Sequence, residues 1–262
     1  MNSRTAYGQD RLARDLEGAV ERGEILAHYQ PQVDTVTGRV VAVEALCRWR
    51  HPEFGAIAPD VFVPIAEETG SIHSIGRFMI EEGCLLAADW ERAGSPVEVA
   101  VNVSAKQLAP GFFGHLGEFH TREGIGPGRL TIEITESQMI TDVDAAVRDL
   151  AMVRGLGVGI SVDDFGSGHS TVDQVITLPV TELKIDQAIV QDESESSQRM
   201  MSAIVDLVHR RGLRVVAEGV ETEQQLERVR LLHCDRVQGY LIARPLPRLD
   251  VEDFIAERNA SA

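Results

Sequence analysis

Residues 27–49 read AHYQPQVDTVTGRVVAVEALCRW, and the fold turns on how this segment is laid out. AHYQPQVD (27–34) and GRVVAVEALCRW (38–49) both have strand composition, and the TVTG between them is too short to hold a crossover helix. Two strands joined so closely pair as an antiparallel hairpin. Downstream, strand-like segments at 97–104, 129–135, 157–164, 181–186, 214–220 and 236–243 are interleaved with helical patterns at 72–93, 142–155, 196–211 and 221–233. A further helix is expected at 10–22, where Leu12, Leu16 and Val20 recur every four residues. Most of the strand segments read as continuous apolar runs, which suits strands covered on both faces. Strand–helix alternation predicts an α/β fold with a parallel-rich sheet. Eight strands in a chain of this length predict a (β/α)8 TIM-like barrel. The N-terminal hairpin then requires one of the first two strands to run antiparallel to the rest. An open doubly wound sheet is the alternative that the pattern alone leaves standing.

Composition fits one such unit. The apolar share of 44% and charged share of 25% are those of an ordinary globular chain. No linker or low-complexity stretch interrupts it. A net charge of −16 argues against a nucleic-acid polymer or an anionic membrane surface as partner. A small anion remains accessible if metal ions bridge it to the protein. Cys47, Cys84 and Cys234 form no CxxC pair and read as small buried side chains in a reducing compartment. There is no signal-peptide pattern, and no apolar run approaches the roughly 18 residues of a membrane span. A cytoplasmic location without membrane insertion is expected.

The polar residues fall late in the strands: Glu44, Asn102, Glu133, Asp163 and Asp164, Lys184 and Asp186, Glu218, and Gln238. Closing a barrel gathers such positions on one rim, where active sites of this architecture are built. Carboxylates with one amide oxygen make a hard ligand set suited to Mg²⁺, Mn²⁺ or Ca²⁺ rather than zinc. The adjacent pair in SVDDFGSGHS (161–170) is costly unless cations meet it. Two aspartates can contact two ions, one of them bridging, and two ions roughly 3.5–4 Å apart serve in-line displacement at phosphorus. DFG here is not the kinase motif, because no glycine-rich loop or HRD accompanies it. GSGHST lacks the lysine and first glycine of a P-loop.

The ordered motifs VEALCRWRHPEFG, FVPIAEETG, VNVSAKQL, LTIEITES, ISVDDFGSGHS, ELKIDQAIV, VVAEGVET and CDRVQGYLIARPLP resemble those of EAL-domain cyclic di-GMP phosphodiesterases over roughly residues 15–250, which implies that domain over 15–250, after an N-terminal extension (1–14) and before a C-terminal helix or tail (251–262). The resemblance implies hydrolysis of cyclic di-GMP to linear pGpG with two Mg²⁺ or Mn²⁺ ions; Ca²⁺, larger and looser in its coordination, is expected to be inhibitory. It implies Glu44, Asn102, Glu133 and Asp163 at one metal, and Asp163 with Asp164 at the second. Glu218 matches the general base, and Lys184 the lysine that positions the attacking water. Gln30, Leu46, Arg48, Asp186, Glu221 and Gln238 match substrate-binding positions. Glu136 and Ser167 match the anchoring of the DDFGSG loop, beside which family members dimerise, so a homodimer is expected. Two departures stand out, Ser167 and His169 in place of the usual threonine and tyrosine, and they bear on that anchoring. A non-catalytic cyclic di-GMP receptor with the same fold, or a phosphodiesterase acting on another nucleotide, are the competing implications. Retention of every motif acid argues against the receptor.

Overall fold

The computed structural model describes residues 8–108, 110–135, 143–166 and 178–261. Glu136, Ser167 and His169 lie outside the described residues. The strands are β1 (Ile25–Asp34), β2 (Val40–His51), β3 (Gly55–Ile57), β4 (Glu98–Asn102), β5 (Leu130–Thr135), β6 (Gly159–Phe165), β7 (Glu182–Ile185), β8 (Arg214–Ala217) and β9 (Arg236–Val237). Their order is β1-β9-β8-β7-β6-β5-β4-β2-β3, and β1 also pairs with β2. That pairing closes eight of them into a barrel and excludes the open sheet. β1 runs antiparallel to both neighbours, β2 and β9, while β2, β4 and the remaining barrel strands are parallel. The hairpin is therefore the irregularity expected, with β1 the reversed strand. β3 only extends the far end of β2, opposite Trp49–His51.

The helices are α1 (Gln9–Leu16), α2 (Pro59–Thr69), α3 (Ile72–Arg92), α4 (Pro110–Glu123), α5 (Val143–Gly155), α6 (Gln187–Gln191), α7 (Glu195–Arg210), α8 (Glu223–Leu231) and α9 (Arg248–Ser261), with a 3₁₀ turn at Ala105–Gln107. The apolar core lies between them and the outward faces of the strands: Val99 and Val101, Leu130 and Ile132, Ile160 and Val162, Leu183 and Ile185 are all fully buried or nearly so.

The strands alternate, which corrects the expectation of continuous apolar runs. Every second residue is directed into the barrel, and many of these are polar yet buried: Gln32, Glu44, Thr131, Glu133, Ser161, Asp163, Glu182, Lys184, Arg236 and Gln238. Small inward residues such as Ala42 and Ala100 hide the period of two from a sequence reading. At the N-terminal ends of the parallel strands, Arg236 reaches Glu98 (2.8 Å) and Glu182 (3.4 Å), and Arg214 reaches the same two acids (both 3.1 Å). Burial pushes the Glu98 carboxyl up, but the two arginines outweigh it and hold it below the ordinary range. This ionic floor closes the bottom of the barrel and leaves the opposite end for chemistry.

Several expected boundaries are corrected. The helix at 10–22 stops at Leu16, because Glu17 is extended and Gly18 has φ 71. The strands expected over 214–220 and 236–243 end at Ala217 and Val237. Gly219 (φ 65) turns the first away. At Gly239 a Cβ would lie 2.1 Å from the Val220 carbonyl oxygen, so the two loops touch backbone to backbone. Their apolar residues belong to packed loops: Val220 and Ile242 are buried. Helices α2, α4 and α6 are absent from the sequence reading. Pro64 lies inside α2, which runs unbroken through it, and so argues against a helix in the sequence, although Pro59 at its start and Gly70 (φ 83) at its end are ordinary helix punctuation. Gly111, Gly114 and Gly117 dilute the pattern of α4.

Candidate active site

The C-terminal rim gathers its acids around one cation. Lys184 Nζ, with no exposed side-chain surface, lies 3.2 Å from Glu44, 2.9 Å from Glu133, 3.0 Å from Asp163 and 2.8 Å from Glu218. Three strands, β2, β5 and β6, and the loop after β8 thus converge on the ammonium that β7 carries. Its three N–H bonds cannot satisfy four carboxylates, and one positive charge cannot balance them. Asn102 Nδ2 donates to Glu44 Oε1 (2.5 Å), which leaves the amide oxygen as the end able to ligate a cation.

Adjacent residues of a regular strand face opposite sides, so Asp163 and Asp164 need a local device to share a rim. The β6–β7 register shifts between Val162 and Phe165, and Asp164 has φ 56. An irregularity of this kind re-aims a side chain, and a non-glycine residue at positive φ is a strained position of the sort found at functional sites. The result is two overlapping acid groups: Glu44, Glu133 and Asp163 in one, and Asp163, Asp164 and Glu218 in the other, each with oxygens within 4.8 Å of one another. Asp163 belongs to both.

The electrostatics fit cations. Burial, then Glu44, push the Glu133 carboxyl well above its ordinary range against the pull of Lys184. Burial and Asp163 do the same to Glu218. Burial, Asp163 and Asp186 raise Asp164 to about 6. Burial also pushes Glu44 up, but Lys184, Gln238 and Asn102 outweigh it and hold it low. Lys184 loses by burial and gains more from its acids, ending well above the usual lysine value. Carboxyls held up by one another are the groups that divalent cations bind in place of protons. Glu133 Oε1, buried and without a hydrogen-bond partner among the described residues, is an oxygen with capacity for such a cation. The all-oxygen donor set suits Mg²⁺ or Mn²⁺.

Behind Glu44 runs a chain of amides. Gln238 Nε2 donates to Glu44 Oε2 (2.6 Å) and Gln30 Oε1 (3.0 Å), Gln30 Nε2 to the Ala243 carbonyl (3.1 Å), and Gln32 Nε2 to Gln238 Oε1 (3.0 Å). Gln30 and Gln238 are thus largely committed inside the wall. The sequence reading missed Gln32, although its spacing of two from Gln30 puts both on the inner face of β1.

Two cavities flank the cluster and share Glu44 and Asp164. One of about 230 Å³ is lined by Gln30, Asp186, Glu218, Glu221, Gln238 and Tyr240. The other, about 310 Å³, is lined by Leu46, Arg48, Val63, Ile75, Met79 and Asn102, with further residues. Every described residue expected at the site therefore lines a cavity or touches Lys184. Tyr240, Gln187 and Gly219 are lining residues the sequence did not single out.

The profile of the EAL domain matches residues 13–245. The chain belongs to the EAL-domain family. Among its relatives, the bifunctional diguanylate cyclase/cyclic di-GMP phosphodiesterase MucR of Pseudomonas aeruginosa is 41% identical over 246 residues, covering 92% of this chain and 36% of MucR. The cyclic di-GMP phosphodiesterase PA2567 of the same organism is 37% identical over 230 residues, covering 87% of this chain and 39% of its own length. The chain thus spans little more than a third of these relatives. The solved PaMucR phosphodiesterase, in complex with c-di-GMP, superposes with a TM-score of 0.87 at 40% identity, covering 92% of this chain and 99% of that one. No described helix is long and apolar enough to cross a membrane.

Proposed function

We propose that this EAL domain hydrolyses one phosphodiester of cyclic di-GMP to linear pGpG using two Mg²⁺ or Mn²⁺ ions. The observation that carries the reading is the pair of acid groups sharing Asp163, set between two cavities that offer a lobe to each half of a dinucleotide. The EAL-domain relatives named as cyclic di-GMP phosphodiesterases support it. Glu44, Asn102, Glu133 and Asp163 would hold one ion, and Asp163 with Asp164 the other. Ions held there supply Lewis-acid polarisation of the phosphodiester and a lowered pKa for the attacking water.

The chain's own groups do the rest. Glu218 accepts the proton of the water as its oxygen attacks phosphorus and the P–O3′ bond breaks; the leaving 3′ oxygen takes a proton from solvent to end as a hydroxyl, and Glu218 returns its own to solvent. A carboxyl whose pKa is raised by burial is a more effective base near neutral pH than an exposed one. Lys184 Nζ, 2.8 Å from Glu218, orients that water and offsets negative charge that develops on the phosphoryl oxygens. Arg48 donates to the Cys47 carbonyl (2.9 Å) and lines the larger cavity, within which its guanidinium can hold a substrate phosphate. Leu46 faces the same lobe; Gln30, Asp186, Glu221 and Gln238 line the other. Ca²⁺ would bind the same oxygens and inhibit, because its larger, looser coordination misplaces the reacting groups. Glu136 and Ser167 would anchor the loop after Asp164, in a cytoplasmic homodimer.

Incubation with cyclic di-GMP and Mg²⁺, followed by ion-pair chromatography, tests this. The reading requires pGpG to accumulate and chelation to stop it. Binding of cyclic di-GMP without turnover would make the domain a receptor.

A further inference from the structure

The amide chain behind Glu44 has only one consistent polarity. A backbone carbonyl can only accept, so Ala243 fixes Gln30 with Nε2 toward it and Oε1 toward Gln238. Gln238 must then present Nε2 to Gln30, and the same nitrogen reaches Glu44. Its Oε1 is left facing Gln32, which meets it with Nε2. Turning the Gln238 amide over would set oxygen against the Glu44 carboxylate and against Gln30 Oε1, and nitrogen against the Gln32 donor. Amide orientation is decided by such networks. Gln32 is 1% exposed and Gln238 4% exposed, so water does not readily replace either partner.

We propose that Gln32 is a positioning residue for the metal centre: by donating to Gln238 Oε1 it keeps the Gln238 nitrogen on Glu44 and so fixes the carboxylate that the first ion uses. Gln32 lines neither of the two cavities beside the cluster. Its site on β1, the antiparallel strand, lies opposite Ala42 on β2, and Gln30 lies opposite Glu44, so the hairpin itself sets the depth at which the donor stands. Partners that orient a metal-binding carboxylate typically govern metal affinity by about 10–100-fold. The inference rests on the two-ion reading.

The test is Mn²⁺ binding by titration calorimetry, with the apo melting temperature and circular dichroism as fold controls. Gln32→Met keeps side-chain length and removes the donor; its Mn²⁺ affinity should fall about 10-fold with near-native apo spectra. Gln32→Glu sets acceptor against acceptor and should lose more. In a Gln238→Met background, where the facing group is apolar, Gln32→Met should add no further loss. Unchanged affinity in folded Gln32→Met, or a full additive loss in the Gln238→Met background, would overturn the proposal. Absence of Mn²⁺ binding by the unaltered protein would instead refute the metal reading on which it rests.

Discussion

Replacing Lys184 with methionine removes the cation that, among the described residues, the rim acids share, while nearly preserving volume. In the native chain its ammonium has four carboxylate oxygens at 2.8 to 3.2 Å. Each contact corresponds to about 5 kcal/mol of gross attraction at an effective dielectric of about 20. Desolvation of the ammonium and repulsion among the acids offset most of it. Breaking a buried ionic group by removing one partner costs about 3–5 kcal/mol, which for a chain of this size is a fall in Tm of about 10 °C. The loss depends on pH with a definite sign. Glu133 and Glu218 already sit well above their ordinary values and Asp164 at about 6, and without Lys184 all three rise further. A carboxyl whose folded pKa exceeds its unfolded value of about 4 destabilises the fold as pH climbs past that range. The deficit of Lys184→Met in chelator should therefore be largest at pH 8 and shrink toward pH 5. Mg²⁺ should restore more stability to the variant than to the native chain, because the cation now meets uncompensated acids. In the loaded enzyme kcat should fall about 10²–10³-fold. The measurements are thermal melts in chelator at pH 5 and 8, with and without excess Mg²⁺, alongside steady-state turnover. Equal Tm at pH 8 in chelator, or native kcat, would refute the placing of Lys184 at the centre of the cluster's charge balance.

Glu218→Gln keeps shape and removes the proposed proton acceptor, so kcat should fall by at least about 10²-fold while cyclic di-GMP binding by calorimetry stays near native. Arg48→Lys loses the two-pronged guanidinium geometry and should raise KM more than it lowers kcat in steady-state assays. Gly239→Ala puts a Cβ against the Val220 backbone at 2.1 Å; chemical denaturation should show a loss of about 1–3 kcal/mol, with activity reduced because Gln238 must shift.

Much of the architecture was legible because barrel closure follows from counting. Eight strand-like segments and one tight hairpin predict a closed barrel with a reversed strand, and β1 is that strand. The site was legible for a related reason: Glu133, Asp163 and Lys184 stand late in strands whose other face is apolar, whereas Glu44, also expected late, sits midway along β2 because that strand runs on to His51 to pair with β3. What stayed hidden is what the barrel interior does to the pattern. A tightly closed barrel admits Ala42, Ala100 and Ser161 beside its charged residues, so the strand period of two blurs into apparent apolar runs. Gln30 and Gln238 match substrate-binding positions through the family resemblance; the fold in addition turns their amides toward each other and toward Glu44. The apolar residues after Ala217 and Val237 extend the apparent strands, because loops that pack against each other are as apolar as strands. The bulge that brings Asp164 beside Asp163 depends on φ 56 at an aspartate, and no residue type announces it.

The number of divalent ions the site holds tests the central claim most directly. Titration of Mn²⁺ into the protein with cyclic di-GMP bound, followed by calorimetry and electron paramagnetic resonance, should give two ions per chain, magnetically coupled through Asp163. Asp163→Asn should abolish the coupling and weaken both ions, whereas Glu133→Gln should weaken one. A single uncoupled ion in the native chain, or two that survive Asp163→Asn unchanged, would contradict the shared-carboxylate account of this site.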